Sequence, residues 1–189
     1  MYDLAHQFVN LVSSSLQELA LCPPDRFGES QSPSTVAFST RFNPLPNLHS
    51  LRLSLCQDTH EIAPILHFPW AMELISNLSH PQKLHELRVP YGFQDWSIDR
   101  HRLPNPTNDK NYRIQLEKRL IVGWDAFDQL LTSGSFPNLR TVHFSAFATE
   151  AEPEVNRICE PQFVSIIRRL LPKLDERGIL KVTWTISEY

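Results

Sequence analysis

The chain has 189 residues, 41% of them hydrophobic and 21% charged, which predicts one globular domain with a real core. Its net charge of −3 gives no overall attraction to nucleic acid or to an anionic membrane, so neither is an expected partner. The three cysteines lie far apart without a paired spacing, and the N-terminus lacks a secretory signal. These features favour a reduced intracellular protein, cytoplasmic or nuclear, over a disulfide scaffold or a membrane protein.

One spacing of apolar residues recurs along the chain. Its best example is LHSLRLSLC, in which Leu48, Leu51 and Leu53 stand in the order LxxLxL and Cys56 closes the pattern. This is the strand half of a leucine-rich repeat. Five segments share the spacing and predict strands near residues 16–21, 48–55, 84–90, 139–145 and 179–186. The segments begin at residues 16, 48, 84, 139 and 179, at intervals of 32, 36, 55 and 40, so the array is irregular.

The segments between these strands have the apolar spacing of helices. Their predicted apolar positions are Leu4, Phe8, Leu11 and Val12; then Trp70, Leu74, Ile75 and Leu78; then Trp124, Phe127, Leu130 and Leu131; and finally Phe163, Val164, Ile167, Leu170 and Leu171. Prolines predict helix starts at Pro69 and Pro161, and Gly134 predicts a helix end. The alternation indicates the α/β class, as an irregular leucine-rich-repeat-like solenoid over residues 1–189 with parallel strands on the concave face and helices and loops outside.

Three stretches do not follow the repeat. Residues 23–43 contain a polar Pro/Ser segment and then a possible extra strand at Val36, Phe38 and Thr40. Residues 92–113 form a polar insertion that accounts for the longest interval. Residues 114–122 suit either a strand or a helix.

Polar residues occupy the strand positions between the pattern leucines, and these positions point away from the predicted core. If the strands stack in chain order, Arg52, Arg88 and His143 form a basic row on adjacent strands. Such a row suits carboxylates or phosphates, because each guanidinium can donate two hydrogen bonds. The predicted partner-binding residues are Arg52, Glu86, Arg88, Tyr91, Trp96 and His143. The alternative is that these residues form an ordinary solvated strand face.

Four segments together resemble the C-terminal, leucine-rich-repeat-like region of F-box proteins from mushroom-forming fungi. The segments are LHSLRL, LHELRVPYGF, WDAFDQLLTSGSFPNLRTVHF and RRLLPKLDERGILKVTW. In that family an F-box binds the Skp-type adaptor of a ubiquitin ligase, and the repeats recruit the substrate. The resemblance therefore implies a non-catalytic protein–protein recognition scaffold that binds an unknown protein on its concave face.

The 189 residues contain no match to the LPxE or LPPE opening of an F-box. We expect either an F-box upstream of this chain or a relative that lacks one, and a Skp-type adaptor is an expected partner only in the first case. One alternative function is that the chain is a truncated or non-functional fragment of a larger F-box protein.

A second alternative is a metal-dependent enzyme that uses Asp95, Asp99 and His101 of the polar insertion. Their spacing matches no metal-binding or catalytic motif, and a solvated loop is the better interpretation. The chain also has no GxSxG, Gly-rich phosphate loop or Walker sequence. We therefore predict no enzyme, no cofactor and no catalytic or metal-binding residue. The histidines at equivalent repeat positions, His49 and His85, are interpreted as structural.

Overall fold

A parallel sheet organises the chain in the computed structural model, which describes residues 15–21, 45–53, 55–56, 67–93, 123–149 and 153–187. The strands are β1 (Glu18–Leu21), β2 (Ser50–Leu53), β3 (Leu55–Cys56), β4 (Glu86–Phe93), β5 (Thr141–Thr149) and β6 (Leu180–Ser187). They lie in the order β1-β2-β4-β5-β6, every pair is parallel, and β3 pairs with β4. The predicted α/β class with parallel strands in chain order is therefore confirmed.

Four helices lie in the described segments between the strands. They are α1 (His67–Ser76), α2 (Trp124–Thr132), α3 (Pro153–Leu170) and α4 (Pro172–Glu176), and a short 3-10 helix spans Pro81–Lys83. None of these helices is long and apolar enough to cross a membrane. The predicted helix near Leu4, the predicted strand near Val36 and residues 94–122 lie outside the described residues.

The helices bury their apolar side chains against one face of the sheet. Strand residues Leu51, Leu87 and Phe144 and helix residues Ile75 and Phe127 are all at most 1% exposed and belong to one core cluster. The Phe144 ring meets that of Phe127 edge to face, with 5.9 Å between ring centroids. Full burial of such a side chain contributes about 1.5–3 kcal/mol, so this layer supplies most of the stability of the sheet.

Two predicted helix starts and the predicted ends of strands β4 and β5 are wrong. Strand β5 continues to Thr149, beyond its predicted end at residue 145. Helix α3 begins at Pro153 and contains Pro161, which was predicted to be its start. Both prolines suit a first helical turn, because that turn needs no hydrogen bond from the proline nitrogen, and the earlier one begins the helix. Helix α1 begins at His67, two residues before Pro69. Strand β4 continues to Phe93, so Gly92 and Phe93 belong to the strand and not to the polar insertion.

Three strands are preceded by the same local structure. The first pattern leucines, Leu48, Leu84 and Leu139, are at most 3% exposed and lie just before β2, β4 and β5. Each donates its backbone N–H to the carbonyl three residues earlier, at 3.4, 3.2 and 3.3 Å respectively. Residues 45–48, 81–84 and 136–139 are called the strand-start turns below. The apolar residue and the turn together set where each strand begins.

The strands that follow these turns are attached to the previous strand in the same way. At each start, two successive N–H groups donate to one carbonyl oxygen of the preceding strand segment. The pairs are His49 and Ser50 to Gln17 (2.8 and 3.0 Å), His85 and Glu86 to His49 (2.8 and 3.0 Å), and Arg140 and Thr141 to His85 (2.9 and 3.2 Å). The repeated attachment gives β1, β2, β4 and β5 one common register.

Strand β6 is reached differently, through residues 171–179, which are called the α4 connection below. Gly178 adopts φ 68°, donates to Asp175 at 2.9 Å, and is followed by Ile179, which donates to Leu174 at 3.3 Å. This is a Schellman arrangement, in which a left-handed glycine ends the helix and satisfies its last carbonyls. At the other strand starts, the later strand donates to a carbonyl of the earlier one. At β6 this direction is reversed, since the Val142 N–H of β5 donates to the Ile179 carbonyl at 2.8 Å.

The α4 connection is fixed by a buried carboxylate of helix α2. Asp128 is 2% exposed, and its two oxygens accept the backbone N–H groups of Lys173 and Leu174, each at 3.0 Å. These groups belong to the first turn of α4 and have no partner within that helix, so Asp128 acts as its cap from a distant segment. In return, the Arg177 guanidinium donates to the Leu131 carbonyl of α2 at 3.4 Å.

The change of connection shifts the register of β6. Aligning the LxxLxL patterns predicts Val142 opposite Val182, whereas the structure pairs Val142 with Leu180 and Phe144 with Val182. The prediction is therefore wrong by two residues. Because strand side chains alternate between faces with a period of two, the shift leaves the core side of β6 unchanged but gives every residue a new neighbour.

Candidate binding surface

Opposite the helix-covered face, the sheet presents a row of alternating polar positions. Arg52 and Arg88 are exposed, although their strand neighbours Leu51, Leu53 and Leu87 are fully buried. We call this surface the polar face, and its members are Ser50, Arg52, Glu86, Arg88, Thr141, His143, Lys181 and Thr183. The alternation follows from strand geometry, which places successive side chains on opposite sides.

Four basic side chains on the polar face lie in register. Arg52 pairs with Arg88, Arg88 with His143, and His143 with Lys181. Because neighbouring strands are about 4.8 Å apart, this basic row extends about 14 Å across four strands. The structure thus brings together the three predicted basic residues. Sequence reasoning missed Lys181, because the pattern alignment places it opposite Thr141 rather than His143.

One carboxylate lies beside the basic row and holds one of its members. Glu86 accepts a hydrogen bond from the Arg88 guanidinium at 2.9 Å and another from the Ser50 hydroxyl at 3.3 Å. The bond with Arg88 is the main reason that the pKa of Glu86 is below its usual value. Both side chains are partly exposed, at 52% for Arg88 and 30% for Glu86, so the pair itself stabilises the fold only slightly. Its effect is to fix Arg88 in position.

His143 is half-buried between Arg88 and Lys181. Its Nε2 lies 2.8 Å from the hydroxyl oxygen of Thr183 on β6, within hydrogen-bond distance. Burial lowers the pKa of His143, and the neighbouring charges of Arg88 and Lys181 lower it further, against a smaller opposing effect of Glu86. The imidazole is therefore mainly neutral at neutral pH and acquires its charge only in more acidic solution.

The residues at the two ends of the basic row are exposed, and their charges have no partner among the described residues. Within the described part of the chain, neither Arg52 nor Lys181 makes a side-chain hydrogen bond or ion pair. With Arg88 they contribute three positive charges to this side of the sheet, against the two negative charges of Glu18 and Glu86. Counted over the described residues, this side of the sheet is positive by one charge, although the chain carries a net charge of −3.

The register places Tyr91, one of the two aromatic residues of the predicted site, away from the basic row. Tyr91 lies in β4, three residues beyond Arg88, and its register partners are Leu55 of β3 and Ala146 of β5. Along the strand, its position alternates with that of Arg88, as do the positions of Leu87 and Val89. Trp96 lies outside the described residues. The candidate surface therefore consists of charged and hydroxyl side chains.

The histidines at the strand starts have a structural contact. The rings of His49 and His85 stack with 5.1 Å between centroids and 18° between planes. Next to them, the Lys83 ammonium donates to the Asn47 side-chain oxygen at 3.0 Å, and the Asn138 amide donates to the Gln82 carbonyl at 2.7 Å. Two of these contacts, His49 with His85 and Asn47 with Lys83, thus join equivalent positions of successive repeats.

No metal-binding cluster of three or more His, Cys, Asp or Glu side chains occurs in the residues that the structure describes. Asp95, Asp99 and His101, on which the metal-dependent alternative depends, lie outside those residues. The chemistry of the described surface is that of charge pairing and hydrogen bonding.

Comparison with protein-family models, with curated proteins and with solved structures found no match to this chain. The fold and the surface therefore define its class by themselves. It is an α/β protein with a parallel sheet that is covered by helices on one face and carries a locally positive row of side chains on the other.

Proposed function

We propose that this chain is a non-catalytic recognition domain that binds a partner protein on the polar face. The observation that carries the proposal is the register of Arg52, Arg88, His143 and Lys181, which aligns four basic side chains on the face opposite the helices of the described segments. The backbone of residues in paired strands is already ordered and loses little conformational freedom on binding, which favours recognition.

We further propose that the sheet belongs to an irregular leucine-rich-repeat-like solenoid. Three observations support repetition: the common hydrogen bond of the strand-start turns, the shared carbonyl attachment of the strands that follow, and the stacking of His49 on His85. In such a solenoid the polar face is the concave surface, on which repeat proteins bind their partners.

The setting that we propose is substrate recruitment in an F-box-like ubiquitin ligase. Two of the segments that resemble fungal F-box proteins contact each other directly, since Asp128 of WDAFDQLL caps the helix of LPKLDERGIL. This contact supports the interpretation that the two segments form one structural unit rather than a chance pair of patterns. An F-box, and hence a Skp-type adaptor, would have to come from sequence outside the 189 residues.

Affinity capture tests the recognition role. The full chain is immobilised and exposed to extract of the organism that encodes it, beside an Arg52→Ala/Arg88→Ala variant that loses two cations of the polar face. The matched control is Arg168→Ala/Lys173→Ala, which removes two exposed cations from α3 and α4.

We expect the specific partner to be lost with the polar-face variant and kept with the control. Thermal unfolding should be nearly the same for the three proteins, because exposed substitutions change stability by only about 0.5 kcal/mol. A set of captured proteins that is identical for all three would contradict the proposal.

A further inference from the structure

We propose that the polar face binds an acidic segment of the partner protein, with carboxylates at Arg52 and Lys181, and that protonation of His143 strengthens the binding. This inference rests on the proposed function, for which it specifies the chemistry of the partner.

The distribution of charge on the polar face favours an anionic ligand. Arg88 is already paired with Glu86 at 2.9 Å, whereas the exposed Arg52 and Lys181 have no such pair among the described residues. Carboxylates that reach these two cations gain charge-assisted hydrogen bonds without displacing an existing ion pair. The same two charges would repel a cationic segment.

The length of the row indicates an extended ligand. Arg52 and Lys181 lie on strands separated by two others, at a distance of about 14 Å between backbones. An extended peptide advances about 3.3 Å per residue, so side chains four residues apart span a similar distance. One segment with acidic residues at such a spacing can therefore contact both ends of the row.

A second row of the sheet restricts where the carboxylates can bind. Glu18 and Glu86 lie two residues before the basic row, in register with Ser50 between them. The pKa of Glu86 is lowered by its hydrogen bond with Arg88, so this carboxylate stays ionised in mildly acidic solution. Anions are repelled from that row, and the ligand is confined to the basic row.

His143 makes the interaction dependent on pH. The charged groups that face it are Arg88 and Glu86 of β4 and Lys181 of β6, while its neighbours on β5, Thr141 and Ser145, are uncharged. Burial and the two cations lower the pKa of His143. A bound carboxylate offsets the two cations and raises this pKa, so binding takes up a proton. By linkage, affinity must rise as the pH falls through the range in which His143 titrates.

Fluorescence anisotropy with labelled peptides tests the inference on the full chain. The probes are peptides of alternating Glu and Ser, alternating Gln and Ser, and alternating Lys and Ser, at low ionic strength. We expect only the Glu peptide to bind. Arg52→Gln and Lys181→Gln should each weaken its binding about fivefold, the effect of one exposed ion pair, and Lys173→Gln should have no effect.

The pH dependence is measured with the same Glu peptide between about pH 7.5 and about pH 5.5, where its own carboxylates stay ionised. We expect affinity to increase about fivefold on acidification, and in His143→Gln the ratio of the affinities at the two pH values should fall to about one, whatever the affinity of this variant at the higher pH. Binding of the Gln or Lys peptide equal to that of the Glu peptide overturns the inference, as does an unchanged affinity in Lys181→Gln.

The two proposals fail in different ways. If no acidic peptide binds but capture of a protein from extract still depends on Arg52 and Arg88, the recognition role stands and the acidic ligand is wrong. If the polar-face variant captures the same proteins as the wild type, the recognition role fails regardless of how the peptides behave.

Discussion

The strand-start turns and the α4 connection both lead the chain into a strand of the sheet, but they do so with different hydrogen bonds. Before β2, β4 and β5, a buried leucine closes a turn, and two successive N–H groups then attach the strand to the previous one. Before β6, a left-handed glycine ends a helix whose first turn is capped by Asp128, and the attachment runs from Val142 back to Ile179.

The difference teaches that register depends on how a strand is reached as well as on its apolar pattern. Both connections deliver apolar side chains to the core, because a shift of two residues preserves the alternation of faces. They differ in which polar residues become neighbours. The α4 connection is the reason that Lys181 lies opposite His143 and extends the basic row to a fourth strand.

Loss of the Asp128 carboxylate should cause the largest damage, because it leaves two N–H groups of α4 without an acceptor. We expect Asp128→Ala to lower the free energy of unfolding by about 2–4 kcal/mol, measured by chemical denaturation. The exposed acid of the same helix, Asp125, is the control, and Asp125→Ala should cost less than about 1 kcal/mol. Similar losses in the two variants would show that the cap is unimportant.

Gly178 should be the second most sensitive position. An alanine at φ 68° clashes with its own backbone, although nothing lies within 4 Å of the added carbon, so Gly178→Ala should cost about 1–2 kcal/mol. Gly134 has equal space around an added carbon and no left-handed backbone. Gly134→Ala should therefore be neutral or stabilising by about 0.5 kcal/mol. Denaturation curves that coincide for the two variants would argue against a Schellman ending.

Substitutions in the strand-start turns should lower the free energy of unfolding less than substitutions that disturb the α4 connection. Asn138→Ala removes the side-chain hydrogen bond to the Gln82 carbonyl, which is exposed, and should cost about 0.5–1 kcal/mol. Ser135→Ala in the same loop is the control and should change stability by less than about 0.5 kcal/mol. If Asn138→Ala costs as much as Asp128→Ala, the two kinds of connection do not differ in sensitivity as we expect.

The smallest expected effect is a change in the pKa of His143, which tests the register of β6 directly. Lys181 lowers the pKa of His143, so Lys181→Gln should raise that pKa toward its ordinary value, although burial still keeps it low. NMR titration of the imidazole protons measures the change, and Lys173→Gln should leave it unaltered. Folding lowers the pKa of His143, so stability is full above the unfolded pKa and falls as the pH drops below it. Lys181→Gln should reduce this loss.

Much of the fold follows from local pattern. The alternation of Leu51 and Leu53 with Arg52 predicts which side of the strand is buried, and a buried leucine stands at the same distance before β2, β4 and β5. The basic row of Arg52, Arg88 and His143 could be predicted for the same reason. The same kind of turn precedes each of their strands, so the three strands begin in the same register.

The rest depends on contacts between distant segments. In the sequence Asp128 looks like an ordinary acid of a helix, and only folding brings it to the amides of Lys173 and Leu174. The register of β6 follows from that contact and from Gly178, so the place of Lys181 could not be obtained by aligning repeats. Helix α3 was predicted too short because a proline inside a helix and a proline at its start give the same local signal.

The order of strands in the sheet has a consequence for dynamics. Among the described strands, β1 pairs only with β2, whereas β4 and β5 each have a partner strand on both sides. Separation of β1 breaks no hydrogen bond of β5 or β6. Amide hydrogen exchange should therefore be fastest at β1 and slowest at β4 and β5, as graded opening from one side rather than a single cooperative event.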